Sequence, residues 1–497
     1  MSELPRKKLT LGQVREGLVD ESEDGPLPLV TLDLALPCRS FVVDHKVADV
    51  GMVSVTAEFL LRFIRSMGRC TEEAAQSFFG YNRREMAYVM HEVEDADYVE
   101  RLDGRISLTP TGSSLFRIGV EEPLIYDVER KSARVSFDLI SLAPADKKFM
   151  SFFERNLPEL PLKDSKQVSS AAELVPTSFR RFFREIAAKI DPNATARRSL
   201  YSIDTVSADE RFSTLVRVRL VSTGLKPSLA EIDLSDWKSE YELSDREAVT
   251  RAVAETVEGL AIQRRSDDVE AYDLLLRLAP EYLKEWTRKD GLNVARFYRN
   301  AFTSRGAVSA SWQTTPIVGS LFTQENARRL VEVANYGFRK TRRGTAALYW
   351  VVPQVPLWGS STVLKEEVDR FRDRISLKNE DLKIARQVQT VSLTPSRPER
   401  WVKEAFGLNL TSDGRVFPGG FEMLLVPGAF VAATVHATIG QSPGLPVPLG
   451  FASFDELVVA RATQLLEEFA GRFSFPEQLL QDVTLETMPK NDAAAPS

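Results

Sequence analysis

The chain is poor in the side chains that most often build metal and redox centres. Of its 497 residues, two are cysteine (Cys38, Cys70) and three are histidine (His45, His91, His436). Two cysteines cannot form a disulfide framework or a Cys-based zinc site; they point to a reducing compartment, with both thiols as small buried side chains. No two histidines share one local element, which excludes a His-rich metal site and leaves a mixed carboxylate one. No run of about 18 uninterrupted apolar residues is present to span a bilayer, and the charged N-terminal stretch lacks the apolar core of a signal peptide. A cytoplasmic protein without membrane contact is expected. Missing too are a G-x-x-x-x-G-K-[ST] phosphate loop, a G-x-G-x-x-G turn, a G-x-S-x-G nucleophile elbow and an H-E-x-x-H helix. These absences argue against nucleotide-driven and serine-hydrolase chemistry, and no cofactor is implied.

An excess of positive charge is also lacking. Lysine and arginine number 64 against 70 acids, a net charge of −6, so any affinity for polyanions must be local. With 43% hydrophobic and 27% charged residues the chain has the composition of a globular protein rather than a fibrous or disordered one. Its length suits two to four domains at roughly 100–200 residues each.

Clear punctuation is present between residues 53 and 118. Val55 to Met67 places Phe59, Leu60, Phe63, Ile64 and Met67 on one helical face, predicting a first helix with that face inward. Thr71 caps a second, in which Ala74, Ala75, Phe78 and Phe79 face inward and Gly80 ends the element. Asn82 and Glu85 stand in capping-box register for a third, whose apolar stripe is Met86, Val89, Met90 and Val93. Asp103-Gly104 then supplies a hairpin turn between Tyr98–Arg101 and Arg105–Leu108. Three helices followed by a hairpin predict a winged helix.

The string YVERLDGRISLTPTG, residues 98–112, resembles the wing of MarR- and PadR-like bacterial winged-helix domains, and the resemblance covers about residues 53–118. It implies that the third helix enters the DNA major groove while the hairpin reaches a neighbouring phosphate or the minor groove. Facing away from the apolar stripe are Arg84, Tyr88 and His91, with Arg83 at the margin. With Arg101 and Arg105 of the hairpin, these are the candidate nucleic-acid contacts. Eight arginines against ten acids leave the region at −2, so use in protein contact or homodimerisation is the competing expectation.

From Thr177 to Val221 nine basic residues stand against five acids, a stronger patch. Its candidates are Arg180, Arg181 and Arg184 on an amphipathic helix from Phe179 to Ile190, with Arg197 and Arg198. Strand material is expected at 124–142 and, as three strands separated by polar turns, within 199–237. Residues 240–305 read as mostly helical, opened by a capping box from Ser244 to Glu247. Arg339, Lys340, Arg342 and Arg343 gather at the end of a helix capped by Thr323, where cations offset the helix dipole without any ligand. The apolar run TAALYWVVPQVPLW and the alternating helices and strands that follow predict an α/β domain.

In that domain His436 ends a strand, and Gly450-Phe451-Ala452-Ser453 is expected to open the last helix. The spacing resembles the phospholipase D signature H-x-K-x4-D-x6-G-S-x-N over about residues 325–475, in which His attacks phosphorus while Lys and Asn hold phosphate oxygens. His436 and Gly450 match. Thr438, Pro443, Phe451 and Ser453 stand where the family has Lys, Asp, Ser and Asn, which removes the charge that stabilises a phosphorane. The resemblance therefore implies a phosphodiesterase-like fold without its catalysis.

The expected architecture is α+β and multidomain. It comprises an arm at 1–52, a winged helix at 53–120, a mixed β-containing domain at 121–240, a helical region at 241–320, an α/β domain at 321–475 and a disordered tail at 476–497. The expected function is non-enzymatic nucleic-acid recognition, of DNA first, and assembly with protein partners. The combination is similar to subunits of bacterial DNA-targeting or phage-defence complexes. One alternative is an active nuclease or phosphodiesterase using His436 or a carboxylate-bound metal, with Asp236-Trp237-Lys238 and Asp381-Leu382-Lys383 as candidate pieces. The other is an adaptor that binds protein alone.

Overall fold

A computed structural model of the chain describes residues 9–10, 26–50, 54–116, 123, 126–162, 168–190, 198–222, 224, 226–237, 246–304, 313–341, 344–383, 387–412 and 414–473. The expected tail, most of the arm before residue 26, and Arg197 lie outside them, as do Ser244, Asp245, Lys238, Arg342 and Arg343. No helix among the described residues is long and apolar enough to cross a membrane. The chain is α+β.

Strand β1 (Leu9–Thr10) precedes β2 (Leu27–Val50), whose 24 residues span roughly 80 Å at strand rise. Between β2 and its neighbour in the sheet lies an inserted unit. It runs α1 (Val55–Met67), β3 (Arg69–Thr71), α2 (Glu72–Phe79), α3 (Arg83–Asp95), β4 (Val99–Leu102), β5 (Arg105–Leu108) and α4 (Pro110–Ser114). The chain returns as β6 (Tyr126–Asp138), then passes through the helix Ala171–Ile190 into β7 (Arg198–Ser222) and β8 (Glu231–Asp233). The sheet is antiparallel, in the order β1-β8-β7-β2-β6. Val50 pairs with Tyr126, so both connections to the inserted unit leave one end of this ribbon.

The part of the expected arm from 27 to 50 is instead an inner strand of the sheet, between β7 and β6. Its side chains explain why. Leu32, Leu34, Leu36 and Cys38 bury one face in the main core, whereas Phe41, Val43 and Val47, of opposite parity, bury the other face against Phe179, Phe182, Phe183 and Ile186 of the helix Ala171–Ile190. The ribbon changes its buried face halfway along. The three strands expected within 199–237 are likewise one long strand plus a short one. Ser207-Ala208-Asp209-Glu210 makes no turn: Arg39 pairs with Arg211 and Phe41 with Ala208, so one extra residue of β7 is accommodated as a β-bulge.

The second half is a three-layer sandwich. After helices Glu247–Glu258, Asp268–Leu278, Pro280–Leu283 and Val294–Thr303, with a small β9 (Thr287–Arg288) and β10 (Gly291–Leu292) hairpin, come β11 (Thr314–Val318), β12 (Ala347–Val351), β13 (Gln389–Thr394), β14 (Leu408–Thr411), β15 (Phe421–Val426), β16 (Phe430–Ala437) and β17 (Val447–Ser453). Their order is β11-β17-β16-β15-β12-β13-β14, parallel across β12-β13-β14 and antiparallel elsewhere. Met423, Leu425, Val431 and Ala433 point to the face covered by the helices between 247 and 303 and by Glu456–Ala470. Leu424, Val426, Phe430 and Ala432 point to the face covered by Gln324–Lys340, Thr362–Asp381 and Arg400–Ala405. The helical region expected at 241–320 is thus one layer of the domain expected to begin at 321.

The ribbon meets this sandwich at Asp33, whose side chain is 1% exposed. Its carboxylate accepts from Arg217 Nε (2.8 Å) and Nη2 (3.0 Å), from the Thr362 amide (2.7 Å) and from Ser361 Oγ (3.3 Å). It therefore sits at the positive end of the helix Thr362–Asp381, tying β2 to β7 and both to the sandwich. One turn along that helix, Glu367 is buried, with Oε1 held by Arg370 and Oε2 without a partner. Desolvation pushes its carboxyl up to about 7.

Asp33→Ala is expected to cost about 3 kcal/mol in denaturant unfolding, the low end for a broken buried pair because Arg217 is partly in water. Glu367 favours its protonated form on folding, so its contribution is full below the ordinary carboxylate range and is lost as pH rises through about 7. Glu367→Gln is therefore expected to flatten stability between pH 5 and 8 and to exceed the parent at the upper end, as read by thermal melts across pH.

Candidate nucleic-acid interface

The inserted unit is built from strong local signals. Asn82 Oδ1 accepts from the amides of Arg84 and Glu85 (both 2.9 Å), and Glu85 Oε2 in turn accepts from the Asn82 amide (2.9 Å), completing the capping box that starts α3. Met86, Val89, Met90 and Val93 are buried against Leu60, Leu61 and Ile64 of α1. Strands β3, β5 and β4 form a small antiparallel sheet, and Asp103 and Gly104 at its hairpin turn both have positive φ, 54° and 71°. Gly112 is fixed by space: a Cβ there would stand 2.0 Å from the Tyr98 carbonyl oxygen.

The candidate contacts divide into free and committed groups. Arg83, Arg84, Tyr88, His91, Arg101 and Arg105 are all exposed. Arg83, Arg84 and Arg105 have no ionic partner among the described residues. Arg101, in contrast, is a strut: its Nε reaches Glu94 (2.5 Å) and its Nη1 reaches Glu72 (3.3 Å), pinning the hairpin to α3 and α2. It does not present a free charge. His91 lies 3.2 Å from Asp95, four residues along α3.

Four apolar assignments change, one of them Ala74, which is exposed on α2. Leu60, Leu61 and Ile64 turn inward from α1 together with Ala57, but Phe59 (49% exposed), Met67 (57%) and Phe78 (68%) turn outward. The expected inward face was too broad. Positions 57, 60, 61 and 64 fill the helical stripe, leaving 59, 63 and 67 a second stripe, on which Phe63 stacks against Phe78 with centroids 4.5 Å apart.

In the second patch, Arg180, Arg181 and Arg184 are exposed on the helix Ala171–Ile190, opposite Phe179, Phe182 and Phe183, with Arg181 over the Phe182 ring at 5.0 Å. Of Arg198 the strand backbone alone is described, and Arg197 lies outside the described residues. Of the acid-x-Lys triplets, Asp236 pairs with Arg219 (3.2 Å), and Asp381 ends a helix. Among the described residues no cluster of three or more His, Cys, Asp or Glu side chains could hold a metal ion.

His436 lies in the core, not at a surface. It is 3% exposed on β16, with Nε2 2.6 Å from Glu422 Oε2. Glu422, opposite Thr434 in the β15–β16 register, also accepts from Thr434 Oγ1 (2.9 Å), Trp350 Nε1 (2.9 Å) and Trp358 Nε1 (3.1 Å). Gly450 to Ser453 do not open the last helix either. They complete β17, and Gly450 is required because a Cβ would meet the Ala433 carbonyl oxygen at 1.9 Å. The helix starts only at Glu456, capped by Asp455.

A further surface is Lys147-Lys148-Phe149-Met150-Ser151-Phe152-Phe153, where two cations precede three aromatic rings without a burial period. Phe149 is 88% and Phe152 68% exposed.

Glu422→Ala strands four buried donors. It is expected to lower stability by about 3 kcal/mol or more, seen in denaturant unfolding followed by the emission of Trp350 and Trp358, and Glu422→Gln is expected to recover part of the loss. No family model, curated protein or solved structure matches the chain.

Proposed function

We propose that residues 54–116 form a winged helix that contacts nucleic acid, DNA first, in a protein that recognises and assembles rather than catalyses. The observation that carries this is the outer face of α3. Arg83 and Arg84 lie at its N-terminal end, exposed and without ionic partners among the described residues, beside exposed Tyr88 and with the apolar stripe turned away. An α-helix presented this way fits the major groove, and an arginine can grip phosphate or a guanine edge there. Arg105, equally free on the hairpin, is placed for a backbone contact. Arg101 supports the module from within. The phosphodiesterase-like expectation for the second half contributes its scaffold only, since His436 is closed into the core.

The stripe of Phe59, Met67 and Phe78 favours a second role, contact with a protein partner or a second copy of the chain. In this reading the protein is one subunit of a larger nucleic-acid-binding complex, of the kind found in bacterial DNA-targeting or phage-defence systems.

The test is duplex DNA binding measured against salt. Arg83→Ala with Arg84→Ala is expected to reduce the slope of log affinity on log salt by about 2 and to weaken binding across sequences, whereas Arg105→Ala is expected to reduce it by about 1. Binding unchanged in the double variant would discard α3 as the contact.

A further inference from the structure

Phe149, at 88% exposure, is the most exposed large apolar side chain among the described residues, and Phe152, three residues on, is 68% exposed. Their display is built rather than loose. Arg155 donates from Nε to the Met150 carbonyl (3.2 Å) and lies over the Phe149 ring at 5.9 Å. Asn156 donates to the Phe152 carbonyl (2.9 Å). Ser151 and Glu154 exchange hydrogen bonds across the turn, and buried Phe153 and Leu157 anchor it in the core. Next to Phe149 opens a cavity of about 360 Å³, whose walls include Lys148, Met150, Trp237, Arg217 and Arg246. The acids around it are engaged: Asp33 by Arg217, Asp146 by Lys189, Asp236 by Arg219, and Glu154 by the Ser151 amide. Lys148 is exposed and has no ionic partner among the described residues.

We infer that this loop and cavity bind an unpaired stretch of nucleic acid, with bases stacked on Phe149 and Phe152, one base directed into the cavity, and Lys148 and Arg155 on the phosphates. Separate aromatic rings on a loop that also carries Lys148 and Arg155 match the base-and-phosphate repeat of a single strand; a protein interface core or a lipid interior asks for continuous apolar surface. The inference rests on the nucleic-acid reading for its partner class but uses none of the residues of the inserted unit.

The experiment is fluorescence anisotropy of the full chain with a labelled oligothymidine strand of about 20 nucleotides. Phe149→Ala with Phe152→Ala is expected to weaken binding by at least about 10-fold, Phe149→Tyr to retain it, and Lys148→Ala to lower the salt slope by about 0.7. Parent affinity in the double alanine variant overturns the inference. So does binding of the parent to phosphatidylserine vesicles, lost on the same two substitutions, with no binding of the strand. The Arg83→Ala/Arg84→Ala protein separates the two sites. Strand binding kept in that variant supports a second site whether or not duplex binding was ever present; strand binding lost there and kept in the phenylalanine variant overturns it.

Discussion

The carboxylate of Asp33 is the constraint on which the arrangement of the molecule turns. It sits on β2 where the long ribbon meets the sandwich, and accepts the fork of Arg217 from β7 and the first amide of the helix Thr362–Asp381. A buried charge is tolerable there because both a guanidinium and a helix N-terminus oppose it. The same contact holds two strands in register and one helix in place, so the base of the ribbon has one orientation relative to the seven-stranded sheet. Far along the ribbon, Val50 and Tyr126 deliver the inserted unit. A small rotation at Asp33 would be magnified along the roughly 55 Å of strand from there to Val50.

Glu422 plays a comparable part inside the sandwich. Four donors from three segments converge on one fully buried carboxylate, so strands β15 and β16 and the tryptophans at 350 and 358 are fixed relative to one another. A histidine beside a carboxylate invites a catalytic interpretation, and the match of His436 and Gly450 to a phosphodiesterase spacing strengthens the invitation. The surroundings give each residue another job. Both oxygens of Glu422 are occupied, His436 is closed off, and Gly450 is small because a neighbouring strand's carbonyl occupies the space of a Cβ. A motif whose members each have a packing reason to exist needs no chemical one.

Much of the inserted unit was legible in the sequence because its signals are local. Caps at Thr71 and Asn82, the capping box to Glu85, and the paired positive φ of Asp103-Gly104 are decided within a few residues. The strand Ala347–Val351, inside the run TAALYWVVPQVPLW, was legible for a similar reason: in a sheet covered on both faces every position is apolar or paired. What was not legible depends on partners distant in the chain. Nothing near β2 announces that its two halves bury opposite faces, since one face needs the helix Ala171–Ile190 and the other the sandwich. The bulge at Asp209-Glu210 looks like a turn because both are built from short polar residues. Arg101 could be separated from Arg83 and Arg84 only by seeing Glu94 and Glu72 fold against it.

That last distinction bears on how an acidic protein can hold a polyanion. Counted along the sequence, the region around α3 is negative, and counterion release would seem too small to matter. Counting treats every charge alike, whereas the fold cancels many locally: Arg101 against Glu94 and Glu72, Arg62 against Glu58, and Glu85 against its own helix start. The charges left without partners include Arg83, Arg84 and Arg105. On the proposed function, a surface with so few free cations would gain little from non-specific phosphate contact, so affinity would depend on well-placed contacts and salt dependence would be shallow. One such module gives modest binding. Linking it to a second nucleic-acid surface or to a partner through the exposed face of α1 makes the later contacts effectively intramolecular and raises avidity without any additional charge. On the proposed function, an overall charge of −6 would suppress indiscriminate binding while leaving such a multivalent mode intact.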